Sequence, residues 1–274
     1  MNLLDRLALA FTVPTVTDDR ELVWCEERER GVSFGFTDII VHTGYLLFSS
    51  ILRYRAARQL VDLHQFRGAH QAAEQYQSLA NTISEHVRAA FTHESGLLRA
   101  SPGKSAQPDV WGPAFAVYSG MLGEREEEQV SRALLRALSG GTIAWKGNIR
   151  HVPTDGDFSD TSAWEQTLSG YPKNEYQNGA YWNTPTGWVC YAVARTDDKA
   201  ARELALQYIE ELRIGDFRRG REYGPPYECM HPDGDYRKTP VYLTSVTCPL
   251  AAFRRLGWIA GDNESAEQYP RPCR

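Results

Sequence analysis

Thr184-Pro-Thr-Gly-Trp-Val-Cys-Tyr-Ala-Val-Ala194 is followed, after a short link, by Asp198-Lys-Ala-Ala-Arg-Glu-Leu-Ala-Leu-Gln-Tyr-Ile-Glu-Glu-Leu212. The first stretch is apolar on every side, and a helix of that kind has to be covered on every side. The second repeats apolar residues at helical spacing and keeps a charged face for water. The alternation recurs along the chain. Apolar helices are predicted from Trp111 through Met121 and from about Leu243 to Leu256. Half-polar ones are predicted from Ala69 to Phe91 and from Glu126 to Leu138, the latter stopped by Gly140-Gly141.

Before them, Ile39, Ile40, Tyr45, Leu46, Phe48, Ile51, Leu52, Ala56, Leu60 and Leu63 predict one long helix starting near Thr37, with Asp38 as its capping or first-turn acid. Alternating buried and half-buried helices describe an inner and an outer ring. The fold expected is all-α, an incomplete α/α toroid of about seven helices. Its bounds are 34–258, after a weakly patterned segment 1–33 and before a tail 259–274.

The bulk composition fits a globular chain. Of 274 residues, 42% are hydrophobic and 24% charged, and the net charge is −5 without any basic cluster. That balance argues against a nucleic-acid partner or an anionic membrane surface, and no apolar run is long enough to span a bilayer. Met1-Asn-Leu-Leu-Asp-Arg lacks the pattern of a targeting segment, and Leu7 to Val13 reads as part of the fold. Five scattered cysteines, none in a CxxC pair, favour isolated thiols and a cytoplasmic location. Walker, dinucleotide, GxSxG and HExxH patterns are all missing, so no cofactor or metal is expected. Asp155-Gly-Asp157 and Asp233-Gly-Asp235 offer oxygens to calcium, but read better as turns.

Gln177-Asn-Gly-Ala-Tyr-Trp-Asn-Thr-Pro-Thr-Gly-Trp188 resembles the loop-to-inner-helix segment of six-hairpin glycosidases. Tyr227-Glu-Cys-Met-His-Pro-Asp-Gly-Asp235 resembles the late Glu-Asn-Tyr-x-x-x-x-Gly stretch of their trehalase and processing-glucosidase branch. Phe36-Thr-Asp through Leu63 and Asp109-Val-Trp-Gly-Pro113 resemble inner-helix segments of the same (α/α)6 toroid. The likeness covers residues 34 to 256. Two departures stand out: there are fewer helices than six hairpins need, and the branch's Trp-Asp-x-Ser/Asn acid segment has no counterpart, Trp24-Cys-Glu-Glu being a poor match.

The resemblance implies a carbohydrate substrate and inverting hydrolysis, in which two carboxyl groups stand roughly 6.5–9.5 Å apart around a water. It makes Glu228 the general base, with the acid drawn from Asp38, Asp109 or Glu175. Trp111, Trp164, Tyr176, Gln177, Asn178, Tyr181 and Trp182 are the expected sugar-binding residues. Aromatic faces stack on sugar C–H groups and amides bind hydroxyls. Two rivals remain. A sugar epimerase or isomerase would need His42 and His231 to converge, and a non-catalytic partial barrel would lack a carboxylate opposite Glu228. Missing hairpins would also expose inner-ring surface and promote self-association.

Overall fold

A computed structural model describes residues 2–16, 19–26, 37–215 and 224–259. Among them are eight α-helices: α1 (Leu3–Phe11), α2 (Leu47–Phe66), α3 (His70–Phe91), α4 (Trp111–Ser119), α5 (Glu124–Ser139), α6 (Thr186–Ala194), α7 (Asp198–Ile214) and α8 (Thr244–Arg255). They form two layers. In the first, α2 lies against α4, α4 against α6, and α6 against α8. In the second, α3 packs on α2, α5 on α4 and α6, and α7 on α6.

Burial follows the residue pattern in α6 and α7 but not in α8, which is expected to be apolar on every side and buries only Ser245, Pro249, Ala252 and Phe253 while exposing Thr247, Arg254 and Arg255. All but two residues of α6 are buried, with Trp188 and Val189 in the main core. Gly187 is needed there: a Cβ would stand 2.6 Å from the Pro249 Cα and 2.7 Å from the Ala252 Cβ of α8. In α7, Ala201, Leu204, Ala205 and Tyr208 face the core, and Asp197 caps the first turn by accepting from the Ala200 N–H at 3.0 Å. Three rings fill the centre of the first layer. Phe48 stacks on Phe115 at 5.0 Å, and Trp188 lies 4.6 Å from Phe115.

The expected first helix is shorter than its apolar spacing predicts. Helix α2 starts at Leu47, ten residues after Thr37, and Asp38 caps no helix. Gly44, at φ +79°, interrupts the segment against Pro102. Ile40 turns instead into a small separate core with Val152, Ala163 and Trp164. A short apolar run looks alike whether it packs as helix or as loop, which explains the overreach. Helix α1 has no counterpart among the expected helices. It buries none of its residues and is held by an Asn2–Asp5 capping box.

The chain is also not all-α, because its connections contain short strands. Trp24–Cys25 (β1) pairs with Gly44–Tyr45 (β2), and Leu98–Arg99 (β3) with Pro108–Asp109 (β4). An antiparallel meander then runs in chain order through Ala144–Trp145 (β5), Asn148–Arg150 (β6), Tyr181–Trp182 (β7), Tyr227–Met230 (β8) and Arg237–Pro240 (β9). It gathers the long connection before α6 and the one before α8 into a single sheet. Its register sets Arg150 opposite Tyr181, Tyr181 opposite Met230 and Cys229 opposite Lys238.

Among the described residues no helix is long and apolar enough to cross a membrane. Cys190, Cys229 and Cys248 are free thiols, and Cys273 lies outside the described residues. The boundary expected at 33–34, most of the tail 259–274, and Phe36 and Glu27 of the quoted motifs also lie outside them.

Candidate functional site

Strand β7 and the loop before it bring one acid of the N-terminal region onto the meander. Asp38 sits exposed in a tight turn, where the Ile40 N–H donates to the Thr37 carbonyl at 3.0 Å. Gln177 clamps that turn at both ends. Its Oε1 accepts from the Ile39 N–H at 2.8 Å, and its Nε2 donates to Asp38 Oδ1. The Tyr176 hydroxyl lies 3.2 and 3.3 Å from the two carboxylate oxygens of Asp38. Tyr176 is buried and held at φ +45°. An aromatic residue in that region costs on the order of 1–3 kcal/mol and persists only where the surroundings impose it.

Glu228 approaches the same tyrosine from β8. It is 9% exposed, and its Oε2 accepts from the Thr239 hydroxyl at 2.7 Å across the β8–β9 pair. Thr239 itself is at φ +47°. Burial first, then the negative charges of Asp38 and Glu228, push the Tyr176 phenol well above its ordinary range. The phenol of Tyr242, just before α8, is raised by burial and by the same two carboxylates. Two acids from opposite ends of the chain thus bear on one pair of neutral phenols.

The other candidates stand elsewhere. Asp109 spends both oxygens on the start of α4, accepting from the Trp111 N–H at 3.2 Å and the Gly112 N–H at 2.8 Å. Glu175 is half-buried; burial raises the Tyr236 phenol, and the charge of Glu175 adds to that shift. Trp111, Trp164 and Trp182 are fully buried, and Tyr181 nearly so. Trp182 lies 5.6 Å from Tyr176 and 5.4 Å from Trp111, whereas Tyr181, its neighbour on β7, lies 6.2 Å from Trp145. Trp164 Nε1 donates to the Gln177 carbonyl at 2.9 Å, and Trp111 stacks on His151 at 3.7 Å. Asn178 is spent on the backbone: its Oδ1 accepts from the Ala163 N–H and its Nδ2 donates to the Tyr171 carbonyl, both at 2.9 Å.

Sequence reasoning missed Arg150, the buried post of the site. Its Nε donates to the Gly179 carbonyl at 2.7 Å and its Nη1 to the Val152 carbonyl at 3.0 Å. The guanidinium grips Asp157 at 2.5 and 3.2 Å and reaches Asn174 Oδ1 at 3.0 Å. These bonds fasten both ends of the 174–179 loop that carries Tyr176 and Gln177. A Cβ at Gly179 would collide with the Arg150 guanidinium, so the loop passes there only as glycine. No spacing rule singles out Arg150: Val152 and Asp157 follow it closely, whereas Asn174 and Gly179 come from a distant loop. Asp157 also pairs with Lys173 at 2.6 Å, which gives Asp155-Gly-Asp157 a structural use. Asp233-Gly-Asp235 is the turn of the β8–β9 hairpin, with Asp233 bound to His231 at 2.6 Å.

The histidines expected of an epimerase keep different company. His231 belongs to that hairpin turn, whereas His42 is buried edge-on to Trp164 at 5.1 Å. His42 lines a cavity of about 10 Å³ with Thr37, Asp109, His151 and Trp164, room for about one water. Burial lowers its pKa to about 4; Asp109 opposes the shift and His151 adds to it. Above the unfolded value of 6.5 the neutral ring contributes fully to stability. As pH falls from there toward 4 the unfolded chain takes the proton first, removing about 3 kcal/mol. The melting temperature of His42→Phe is therefore expected to fall less steeply than wild type across this window. Parallel slopes would contradict that origin.

No protein-family model and no curated protein matches the sequence. Among solved structures, the fold is similar to a GH63 mannosylglycerate hydrolase from Thermus thermophilus in complex with Tris, with a TM-score of 0.52 at 14% identity. The match covers 77% of this chain and 45% of that one. It is also similar to a sialidase, with a TM-score of 0.64 at 14% identity, over 92% of this chain and 24% of that one. This chain thus spans less than half the length of either structure, and the likeness is one of fold.

Proposed function

We propose that the chain is the carbohydrate-handling part of an α/α-toroid glycoside hydrolase, in which Asp38 and Glu228 act on one glycosidic bond with inversion. The observation that carries this reading is that both carboxylates bear on Tyr176 and Tyr242. Two carboxyl groups serving one bond are what glycoside hydrolysis requires. The likeness of fold to two glycosidases favours a sugar substrate. The alternation of the α2–α4–α6–α8 layer with the α3–α5–α7 layer suits part of a toroid within 34–258.

In this mechanism Glu228 takes a proton from water as the water oxygen attacks the anomeric carbon. Asp38 gives its proton to the departing oxygen as the C–O bond breaks. The two products are a sugar of opposite anomeric configuration and a free alcohol. Tyr176 and Gln177 hold the Asp38 carboxyl in one orientation, and Thr239 does the same for Glu228. Orienting a reacting group in this way removes entropy from the barrier before reaction begins. The buried Trp164 and Trp182 support the loop that carries Tyr176 and Gln177.

The test is proton NMR of the first product formed from a panel of α- and β-glycosides. The expected result is hydrolysis of one anomeric series, with the product appearing first as the opposite anomer. Retention of configuration would rule out the water-between-carboxylates arrangement. A folded sample inert toward every glycoside would favour the non-catalytic partial barrel.

A further inference from the structure

Strand β9 places a cation over the two acids' shared tyrosine. Lys238 pairs in register with Cys229, the residue after Glu228. Its side chain turns inward over the loop, with the ammonium 3.1 Å from the Tyr176 ring centroid and 5.4 Å from that of Tyr171. It is half-buried. Lys173 and Lys199 are each bound to a carboxylate, whereas Lys238 has no carboxylate partner among the described residues.

A half-buried ammonium with no carboxylate in direct contact is costly, and a tyrosine face returns only about 0.5–2 kcal/mol of the lost hydration. An edge strand can carry lysine simply to discourage pairing with another chain, but that use points the amine to water. Here it is held against the ring whose hydroxyl touches Asp38. A neutral sugar would gain little from such a cation. A substrate carboxylate would gain a charge-assisted bond in a partly water-excluded place, and would otherwise be repelled by the general-base carboxylate of Glu228.

We propose that Lys238 is a specificity residue that binds a carboxylate of the substrate, so that the site takes an acidic glycoside. This rests on the hydrolase reading of the same site. The carboxylate has two sources: the sugar itself, as in a uronoside, or the departing group, as in a glycoside of a hydroxy acid.

The experiment is calorimetric titration of the Glu228→Gln protein, which binds without turnover. The probes are methyl uronosides of glucose, galactose and mannose, the parent methyl glycosides, and the corresponding glycosides of lactic acid. One carboxylate-bearing series is expected to bind at least tenfold tighter than its neutral parent, less so as salt rises. A second substitution, Lys238→Met, keeps the ring covered and should abolish the preference, while Lys238→Arg should keep it. The winning series identifies the source of the carboxylate. Equal binding of acidic and neutral probes, no binding of either, or a preference untouched in Lys238→Met would overturn the proposal. Selective binding by a wild-type protein that hydrolyses nothing would leave the proposal standing and count against the hydrolase reading instead.

Discussion

Glu228→Gln is expected to lower kcat for glycoside hydrolysis by roughly 10²–10⁴-fold, the usual contribution of a positioned general base. At 1.36 kcal/mol per tenfold, this is about 3–5 kcal/mol of barrier. The substitution is close to isosteric, and the glutamine carbonyl still accepts from the Thr239 hydroxyl that now binds Oε2 at 2.7 Å. The pairing of β8 with β9 does not depend on the charge, so the melting temperature should change little. KM should move far less than kcat, because the proton is taken only as the bond breaks. A variant that melts normally and hydrolyses at the wild-type rate would remove Glu228 from the chemistry. A comparable loss is expected for Asp38→Asn, which retains its contacts with Tyr176 and Gln177.

Arg150→Met is expected to cost stability on the order of 3–5 kcal/mol, the range for breaking a buried ion pair from one side. The Arg150 side chain is fully buried and that of Asp157 is 8% exposed. Removing the guanidinium leaves the Gly179 and Val152 carbonyls and the Asn174 amide without their donor. Lys173 remains to Asp157 and limits the damage on that side. Arg150→Lys should rescue little, since an ammonium cannot reproduce the planar fork that reaches four groups at once. Thermal unfolding gives the loss directly, as a fall in melting temperature of roughly 10 °C or more. Activity should fall as well, because the loop tied by Asn174 and Gly179 carries Tyr176 and Gln177. An Arg150→Met protein that melts within a degree or two of wild type would show that the loop is held by other means.

Helix boundaries are the most legible part of the fold. Helices α3 and α7 begin within one residue of the predicted starts, and α8 does as well. Periodicity over three or more turns, with glycine or proline at the ends, carries that information. The meander is invisible in the sequence for the opposite reason. Strands of two to four residues are too short to show alternation, and their pairing joins segments far apart in sequence. Ile39 to Leu46 misleads because its apolar residues fit helical spacing, while Ile40 packs against Trp164 and Val152.

The candidate site is legible as residue types and illegible as geometry. Asp38, Tyr176, Gln177 and Glu228 can all be named from their loops. That Gln177 clamps the Asp38 turn across a separation of 139 residues cannot. The tryptophans read as sugar platforms because they cluster in a polar loop, yet their rings lie beneath it. Arg150 escapes notice because a single arginine between Ile149 and His151 says nothing about the five hydrogen bonds waiting for it.

The division of labour between the two acids is tested most directly by changing the leaving group. Asp38→Asn and Glu228→Gln should each be assayed on a methyl glycoside and on the dinitrophenyl glycoside of the same sugar, whose phenolate departs without a proton. The account predicts that Asp38→Asn regains most of its activity on the dinitrophenyl substrate while Glu228→Gln stays inactive on both. Rescue of Glu228→Gln alone would reverse the two roles, and equal behaviour of the variants on both substrates would contradict the acid–base pair altogether.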